Sequence, residues 1–203
     1  MSEISALFWD VGGVFLTNAW DRMSRQKAAE EFELDWDEFD AHHQSVVRDF
    51  EIGRIGLDEY LRRAVFYRER TFGGEDFKDF MFQQSELKPE TLDIIARLAR
   101  SGKYLLCTLN NESLELNRHR IERFGLREYF SLFFTSSFLG VMKPDEAIYR
   151  IALSVTQRRP EESLFIDDRA KNAEVARQCG MRAIHFQSPS QLRSDLEALG
   201  VES

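Results

Sequence analysis

Short apolar runs that stop at polar residues alternate along this chain with longer segments of helical period. Ala6-Leu7-Phe8-Trp9 runs into Asp10 and the pair Gly12-Gly13, and Tyr104-Leu105-Leu106-Cys107-Thr108-Leu109 runs into Asn110-Asn111. Residues 130–135 lead to the loop Gly140-Val141-Met142-Lys143-Pro144, and Ser163-Leu164-Phe165-Ile166 ends at Asp167-Asp168. Runs this short and this apolar predict central strands of a parallel sheet, buried on both faces; a helix needs ten or more periodic residues. A further strand is expected over 183–186. Between the strands, helical spacing predicts helices over 92–99, closed by Ser101-Gly102, over 114–124, stopped at Gly125, over 146–155, over 170–179, capped by Gly180, and over 191–199. Strands alternating with helices predict an α/β fold, a Rossmann-like doubly wound parallel sheet with right-handed crossovers.

One block breaks the alternation. After Val14 the pattern is helical from 21 to 31, again from 34 onward with an acidic first turn, and again from 57 after the turn around Gly53 and Gly56. Phe66, Tyr67, Phe72, Phe77, Phe80 and Phe82 then follow at irregular helical spacing, which fits a small helical core better than a stacking platform for bases. The expected organisation is an α/β core from 1–16 and 89–203, interrupted by an all-helical insertion at 17–88.

The chain has 203 residues, enough for one sizeable core plus an insertion. A formal net charge of −8 argues against nucleic acid or an anionic membrane as a partner, because those surfaces reward a basic stripe. Asp10 interrupts the first apolar run, so neither a signal peptide nor a membrane span is predicted and the cytoplasm is the expected compartment. Cys107 and Cys179 lack the paired spacing of a metal site and are read as reduced packing residues.

In a parallel sheet the carboxyl ends of all strands share one edge, where ligands bind. Asp10, Asn110, Lys143 and the Asp167-Asp168 pair are therefore predicted to meet in one crevice. Carboxylates brought together repel one another unless a cation lies between them, and oxygen ligands without His or Cys favour a hard ion such as Mg²⁺. A lysine nearby balances phosphate charge in a transition state. The set reads as a phosphoryl-transfer site with Asp10 as nucleophile, forming an acyl phosphate that water hydrolyses.

These residues and their order resemble the haloacid dehalogenase-like hydrolase superfamily. Phe8-Trp9-Asp10-Val11-Gly12-Gly13-Val14 matches its first motif, Thr108-Leu109-Asn110 its second, Lys143-Pro144 its third, and Phe165-Ile166-Asp167-Asp168 with Asn172 its fourth. The resemblance implies that residues 17–88 form a helical cap. It also implies that Asp10, the Gly12 carbonyl, Asp168 and Asp167 hold Mg²⁺, with Asp168 the favoured direct ligand and Asp167 a neighbour or water-mediated one. Lys143, Asn110 and Thr108 are the implied substrate contacts. Two positions depart from the pattern. Gly12 stands where the family usually has its general acid, as in members resembling sugar-phosphate phosphatases, and Leu109 stands where a phosphate-binding Ser or Thr is usual. Thr108 replaces that hydroxyl only if the strand slips by one residue.

The implied activity is Mg²⁺-dependent hydrolysis of a small phosphorylated metabolite. Two other readings remain open at this point: a phospho-ligand-binding or regulatory protein that has lost turnover, and a metal-independent haloacid dehalogenase. His42, His43, Arg48 and Arg54 read as ordinary polar residues of the helical block.

Overall fold

The computed structural model describes residues 3–202. Five strands, β1 (Ala6–Trp9), β2 (Leu105–Asn110), β3 (Leu132–Thr135), β4 (Ser163–Asp167) and β5 (Arg182–His185), form one sheet in the order β3-β2-β1-β4-β5. Every neighbouring pair is parallel. The helices are α1 (Arg22–Glu31), α2 (Trp36–Glu51), α3 (Leu57–Ala64), α4 (Gly74–Gln83), α5 (Pro89–Ser101), α6 (Leu114–Arg123), α7 (Ser136–Leu139), α8 (Glu146–Thr156), α9 (Ala170–Gln178) and α10 (Pro189–Ala198).

Side-chain alternation along β1 divides the core. Leu7 and Trp9 point into one apolar cluster with Ile94, Ile95 and Leu98 of α5, Ile121 of α6, and Leu192 and Leu196 of α10. Ala6 and Phe8 point the other way, against Ile148, Tyr149 and Ala152 of α8 and Val175 and Ala176 of α9. A strand buried on both faces cannot alternate polar and apolar residues, which is why β1 reads as an unbroken apolar run. The sheet is doubly wound, as expected.

Helices α1 to α4 carry an apolar cluster of their own, in which Phe39, Phe50, Tyr60, Phe77 and Met81 are buried. The aromatic run of the sequence builds it: Phe32 packs on Phe72, Phe77 and Phe80 at centroid distances of 4.6, 4.8 and 5.5 Å. Asp21 and Asp35 start α1 and α2 by accepting the backbone N–H of Ser24 and Glu38, each at 2.9 Å. The chain enters and leaves this block along two adjacent segments. Thr17 N donates to Glu86 O at 2.9 Å, Thr17 Oγ1 donates to Gln84 O at 2.6 Å, and Lys88 N donates to Phe15 O at 2.8 Å. Leu116 of α6 joins the same apolar cluster, so the block also rests on the sheet unit through a side chain.

Two local features were not legible. The run 130–135 predicts a longer third strand than β3, which begins at Leu132, and no pattern announces the single turn of α7 that follows it. No described helix is long and apolar enough to cross a membrane.

Candidate active site

The register of the sheet sets the floor of the site. Trp9 pairs with Ile166, so the next residues along the two strands, Asp10 and Asp167, emerge side by side at the carboxyl edge. Asp10 is still held to the sheet, its N–H donating to Ile166 O at 2.8 Å. Two buried carboxylates this close demand a countercharge, and Lys143 supplies it: Nζ lies 2.9 Å from Asp10 Oδ1 and 2.7 Å from Asp167 Oδ2. All three side chains are almost fully buried.

Lys143 reaches in from a loop that is itself fixed. Asn111, just past β2, clamps its backbone from both sides: Asn111 Nδ2 donates to Lys143 O at 2.9 Å, and Lys143 N donates to Asn111 Oδ1 at 2.8 Å. Asp167 is saturated, accepting from Arg169 N at 2.8 Å, from Lys143, and from Asn172 Nδ2 at 3.0 Å on both oxygens. Asn172 thus orients the carboxylate that in turn orients the lysine.

Asp10 and Asp168 are left less satisfied. Asp10 Oδ1 accepts from Val11 N and faces Lys143, while Oδ2 has no hydrogen-bond partner among the described residues. Burial pushes the Asp10 carboxyl up to about 7; Lys143 opposes the rise, and the charges of Asp167 and Asp168 add to it. Burial and Asp167 also raise Asp168, whose Oδ1 is buried without a partner. For Lys143, burial disfavours the ammonium, yet Asp10 and Asp167 outweigh it and hold the pKa above the ordinary lysine value. Asp10, Asp167 and Asp168 each offer an oxygen, and these lie within 4.8 Å of one another. Three crowded carboxylates against one lysine, with an orphaned buried oxygen among them, fit a divalent cation of the hard, oxygen-seeking kind.

Glycine at position 13 is a condition of this packing. Its φ is +76°, and an added Cβ would stand 2.0 Å from Asp168 Oδ2. Gly12 is different: its φ is ordinary for any residue, and a Cβ there would crowd the Asn18 Oδ1 at 2.8 Å, with the Asn18 Cα next at 3.4 Å. The backbone therefore does not demand glycine at the position where the resemblance expects an acid.

A cleft of about 580 Å³ opens above this floor, walled on the far side by α1 and α2. Asp10, Gly12, Asn111, Lys143 and Asn172 line the sheet side; Trp20, Arg25, His43 and Glu51 line the helical side. Glu112 and Arg120 close one flank as a buried ion pair at 3.0 Å. On the helical wall Trp20 Nε1 donates to Tyr60 Oη at 2.8 Å, and Tyr60 Oη lies 2.7 Å from His43 Nδ1. A neutral ring that accepts there from the Tyr60 hydroxyl would carry its proton on Nε2. The ring is neutral, because burial, aided by the Arg25 charge, lowers its pKa to about 4.

Of the residues singled out in the sequence, Asp10, Lys143, Asp167 and Asp168 come together. Asn110 and Thr108, the expected substrate contacts, do not line the cleft. Asn110 is buried beneath it, accepting from Thr135 Oγ1 at 3.2 Å and donating to Asn117 Oδ1 at 3.4 Å. Thr108 pairs with Trp9 in an unslipped register, one residue short of the level of Asp10, and so points to the opposite face. Its hydroxyl is buried without a partner. Asn111, Arg25, His43, Glu51 and Glu112 were missed. Asn111 had a signal, since it directly follows a strand end; the others belong to helices or loops that only tertiary packing turns toward the site.

The sequence model of the haloacid dehalogenase-like hydrolases matches residues 4–180. A phosphoserine phosphatase of Thermus thermophilus is 34% identical over 64% of this chain and 58% of its own length. For the flavin mononucleotide hydrolase 1 of Arabidopsis thaliana the match is 28% identical and spans 64% of that protein, so these alignments cover less than two thirds of either relative. A D-ribitol-5-phosphate phosphatase of Bacteroides thetaiotaomicron aligns end to end, 24% identical over 97% of this chain and 98% of its own. A solved enzyme of the same family from that organism superposes with a TM-score of 0.81 at 20% identity, covering 95% of this chain and 99% of that one. Another structure of it, in complex with magnesium and inorganic phosphate, superposes with a TM-score of 0.77 at 19% identity, covering 93% and 98%.

Proposed function

The chain belongs to the haloacid dehalogenase-like hydrolases, and on that premise we propose that it is a Mg²⁺-dependent phosphatase of a small phosphorylated metabolite, with Asp10 as nucleophile. The observation that carries the reading is the floor of the cleft, where Lys143 bridges Asp10 and Asp167 and an under-satisfied Asp168 stands beside them. The phosphatase relatives, one matched over its whole length, support the same reaction class.

In this reading Asp10 Oδ2, which has no hydrogen-bond partner among the described residues, attacks phosphorus while Oδ1 stays on Val11 N and Lys143. The phosphorus–oxygen bond to the leaving group breaks, giving an aspartyl phosphate and an alcohol; water then attacks phosphorus, returning the carboxylate and orthophosphate. Lys143 holds one positive charge beside the nucleophile and the transferring group throughout, and Asn111 and Asn172 keep it there. Asp10, Asp168 and the Gly12 carbonyl would hold Mg²⁺, with Asp167 outside them as the lysine's anchor. When bound, the ion supplies charge neutralisation for the phosphoryl oxygens and relieves the repulsion that raises Asp10.

Residues 17–88 act as a cap in this proposal, closing the cleft over the substrate and excluding water. With Leu109 in place of a hydroxyl and Thr108 turned away, phosphate contacts fall to Lys143 and backbone N–H groups. A haloacid dehalogenase would work without a metal, and three carboxylates at the floor with no cation among them would repel a carboxylate substrate.

Orthophosphate release from a broad panel of phosphate esters, with Mg²⁺ and again with excess chelator, tests the proposal. Release that stops with chelator and returns with Mg²⁺ is expected; no release from any ester, or release indifferent to chelator, would refute it.

A further inference from the structure

Gly12 leaves the nucleophile without the neighbouring acid that the leaving group of an alkyl phosphate needs. If the phosphatase reading holds, a proton donor has to come from elsewhere in the cleft. We infer that Glu51, at the C-terminal end of α2, is that donor.

Glu51 lines the same cleft as Asp10 and Lys143, on the opposite, helical wall. Its position is fixed by the sheet unit rather than by its own helix alone. Ser136 Oγ donates to Glu51 O at 2.6 Å and accepts from Glu112 N at 2.9 Å, so one hydroxyl ties the end of α2 to the loop after β2. Two residues on, Gly53 lies so close to the Ser137 carbonyl that an added Cβ would stand 2.3 Å from its oxygen. The turn after Glu51 is thus pressed onto α7.

The side chain itself has no structural employment. No hydrogen bond or ion pair to the Glu51 carboxyl occurs among the described residues, whereas its neighbour Glu112 is held by Arg120 at 3.0 Å and by Ser113 N at 2.9 Å. The charged and titratable groups that line the cleft with Glu51 or act on it are Asp21, Arg22 and Arg25 at the start of α1, His43 of its own helix, Tyr60 of α3, Glu112 and Arg120 on the flank, Arg169 after β4, and Asp10 and Lys143 on the floor. His43 is neutral and Arg120 is engaged with Glu112, so Glu112 adds repulsion while Arg25 and Arg169 only partly offset burial. The result is a carboxyl pushed up to about 7, protonated on a fair fraction of molecules at neutral pH, as a general acid must be.

The step balances. As Asp10 attacks phosphorus, the leaving oxygen takes the Glu51 proton and departs as an alcohol, and Glu51 becomes a carboxylate. In the second half, the water that attacks the aspartyl phosphate gives its proton to that carboxylate, restoring the acid. Glu51 serves as acid and then base, the role that Gly12 has lost.

The test compares p-nitrophenyl phosphate, whose leaving group needs no proton, with glycerol phosphate, whose leaving group does. For the unmodified protein, kcat/KM for glycerol phosphate should fall as pH rises through about 7, where Glu51 loses its proton, and kcat/KM for p-nitrophenyl phosphate should not show that limb. Glu51→Gln should lower kcat/KM for glycerol phosphate by about 10²- to 10⁴-fold. It should leave kcat/KM for p-nitrophenyl phosphate, which reports only the first half-reaction, near the unmodified value, while kcat for that ester falls because hydrolysis of the aspartyl phosphate has lost its base. Equal loss of kcat/KM on both substrates, an unchanged kcat/KM for glycerol phosphate, or identical pH profiles of kcat/KM for the two esters would overturn the assignment while leaving the phosphatase standing. No release by the unmodified protein from these two esters or from any other ester of the panel would overturn both.

Discussion

Replacing Lys143 by methionine keeps the aliphatic stem and removes a cation that faces both Asp10 and Asp167. Lys143 is 3% exposed, with Nζ 2.9 and 2.7 Å from the two carboxylates. Removing one partner of a buried ion pair typically costs about 3–5 kcal/mol, because the other charge is left buried without compensation. For a chain of this length about 1 kcal/mol moves Tm by roughly 2–4 °C, so a fall of roughly 6–20 °C is expected. The loss should depend on pH in a definite direction. Asp10 has a folded pKa above its unfolded value of 3.8, so the folded state binds the extra proton and the stability linked to it is lost as pH rises toward about 7. Without Lys143, whose charge opposes that rise, the folded pKa climbs further and the loss continues above 7. Scanning calorimetry in the absence of divalent ions, at about pH 6 and about pH 8.5, should show a gap between Lys143→Met and the unmodified protein that widens with pH. Lys171→Met, which removes only an exposed pair with Glu174, is the control and should cost at most about 1 kcal/mol. A Lys143→Met protein that melts with the unmodified one at both pH values would refute the electrostatic account of the floor.

Other consequences follow from the same geometry. Gly13→Ala forces a left-handed residue to carry a side chain, at about 1–2 kcal/mol, and drives its Cβ into Asp168; Mg²⁺ affinity by calorimetry should fall with stability, whereas Gly12→Ala should spare both. Gly12→Asp should fold, since only the Asn18 side chain must move, and in a Glu51→Gln background it should recover part of the lost alkyl phosphate turnover by placing an acid beside Asp10. Phe77→Ala removes the ring that meets Trp20, Phe32, Phe39 and Phe72, and should cost about 3–5 kcal/mol in denaturant unfolding.

What the sequence discloses and what it withholds divide along a physical line. Asp10 and Asp167 were legible because a parallel sheet sends every strand's carboxyl end to one edge, so a carboxylate after an apolar run is placed by topology alone. Lys143 was legible for the same reason, one loop removed. Thr108 and Asn110 were not, because whether a residue at a strand end faces the cleft or the core depends on register. The pairing of Trp9 with Thr108 decides that in favour of the core. Arg25, His43 and Glu51 were out of reach: each sits on an amphipathic helix whose polar positions look alike until α1 and α2 are packed. Phe66, Phe72, Phe77 and Phe80 pack among α1 to α4, yet the hydrogen-bonded chain Trp20–Tyr60–His43 joins a loop residue to α3 and α2, which no spacing connects.

If Asp10 is the nucleophile, it becomes phosphorylated during turnover. Acid quenching of the protein during turnover of a radiolabelled phosphate ester, followed by peptide mapping, tests it most directly. The label is expected on the peptide carrying Asp10, chased away by unlabelled substrate and missing from Asp10→Asn, which should fold but turn nothing over. Phosphate release with no label on Asp10, or undiminished turnover by Asp10→Asn, would contradict the account.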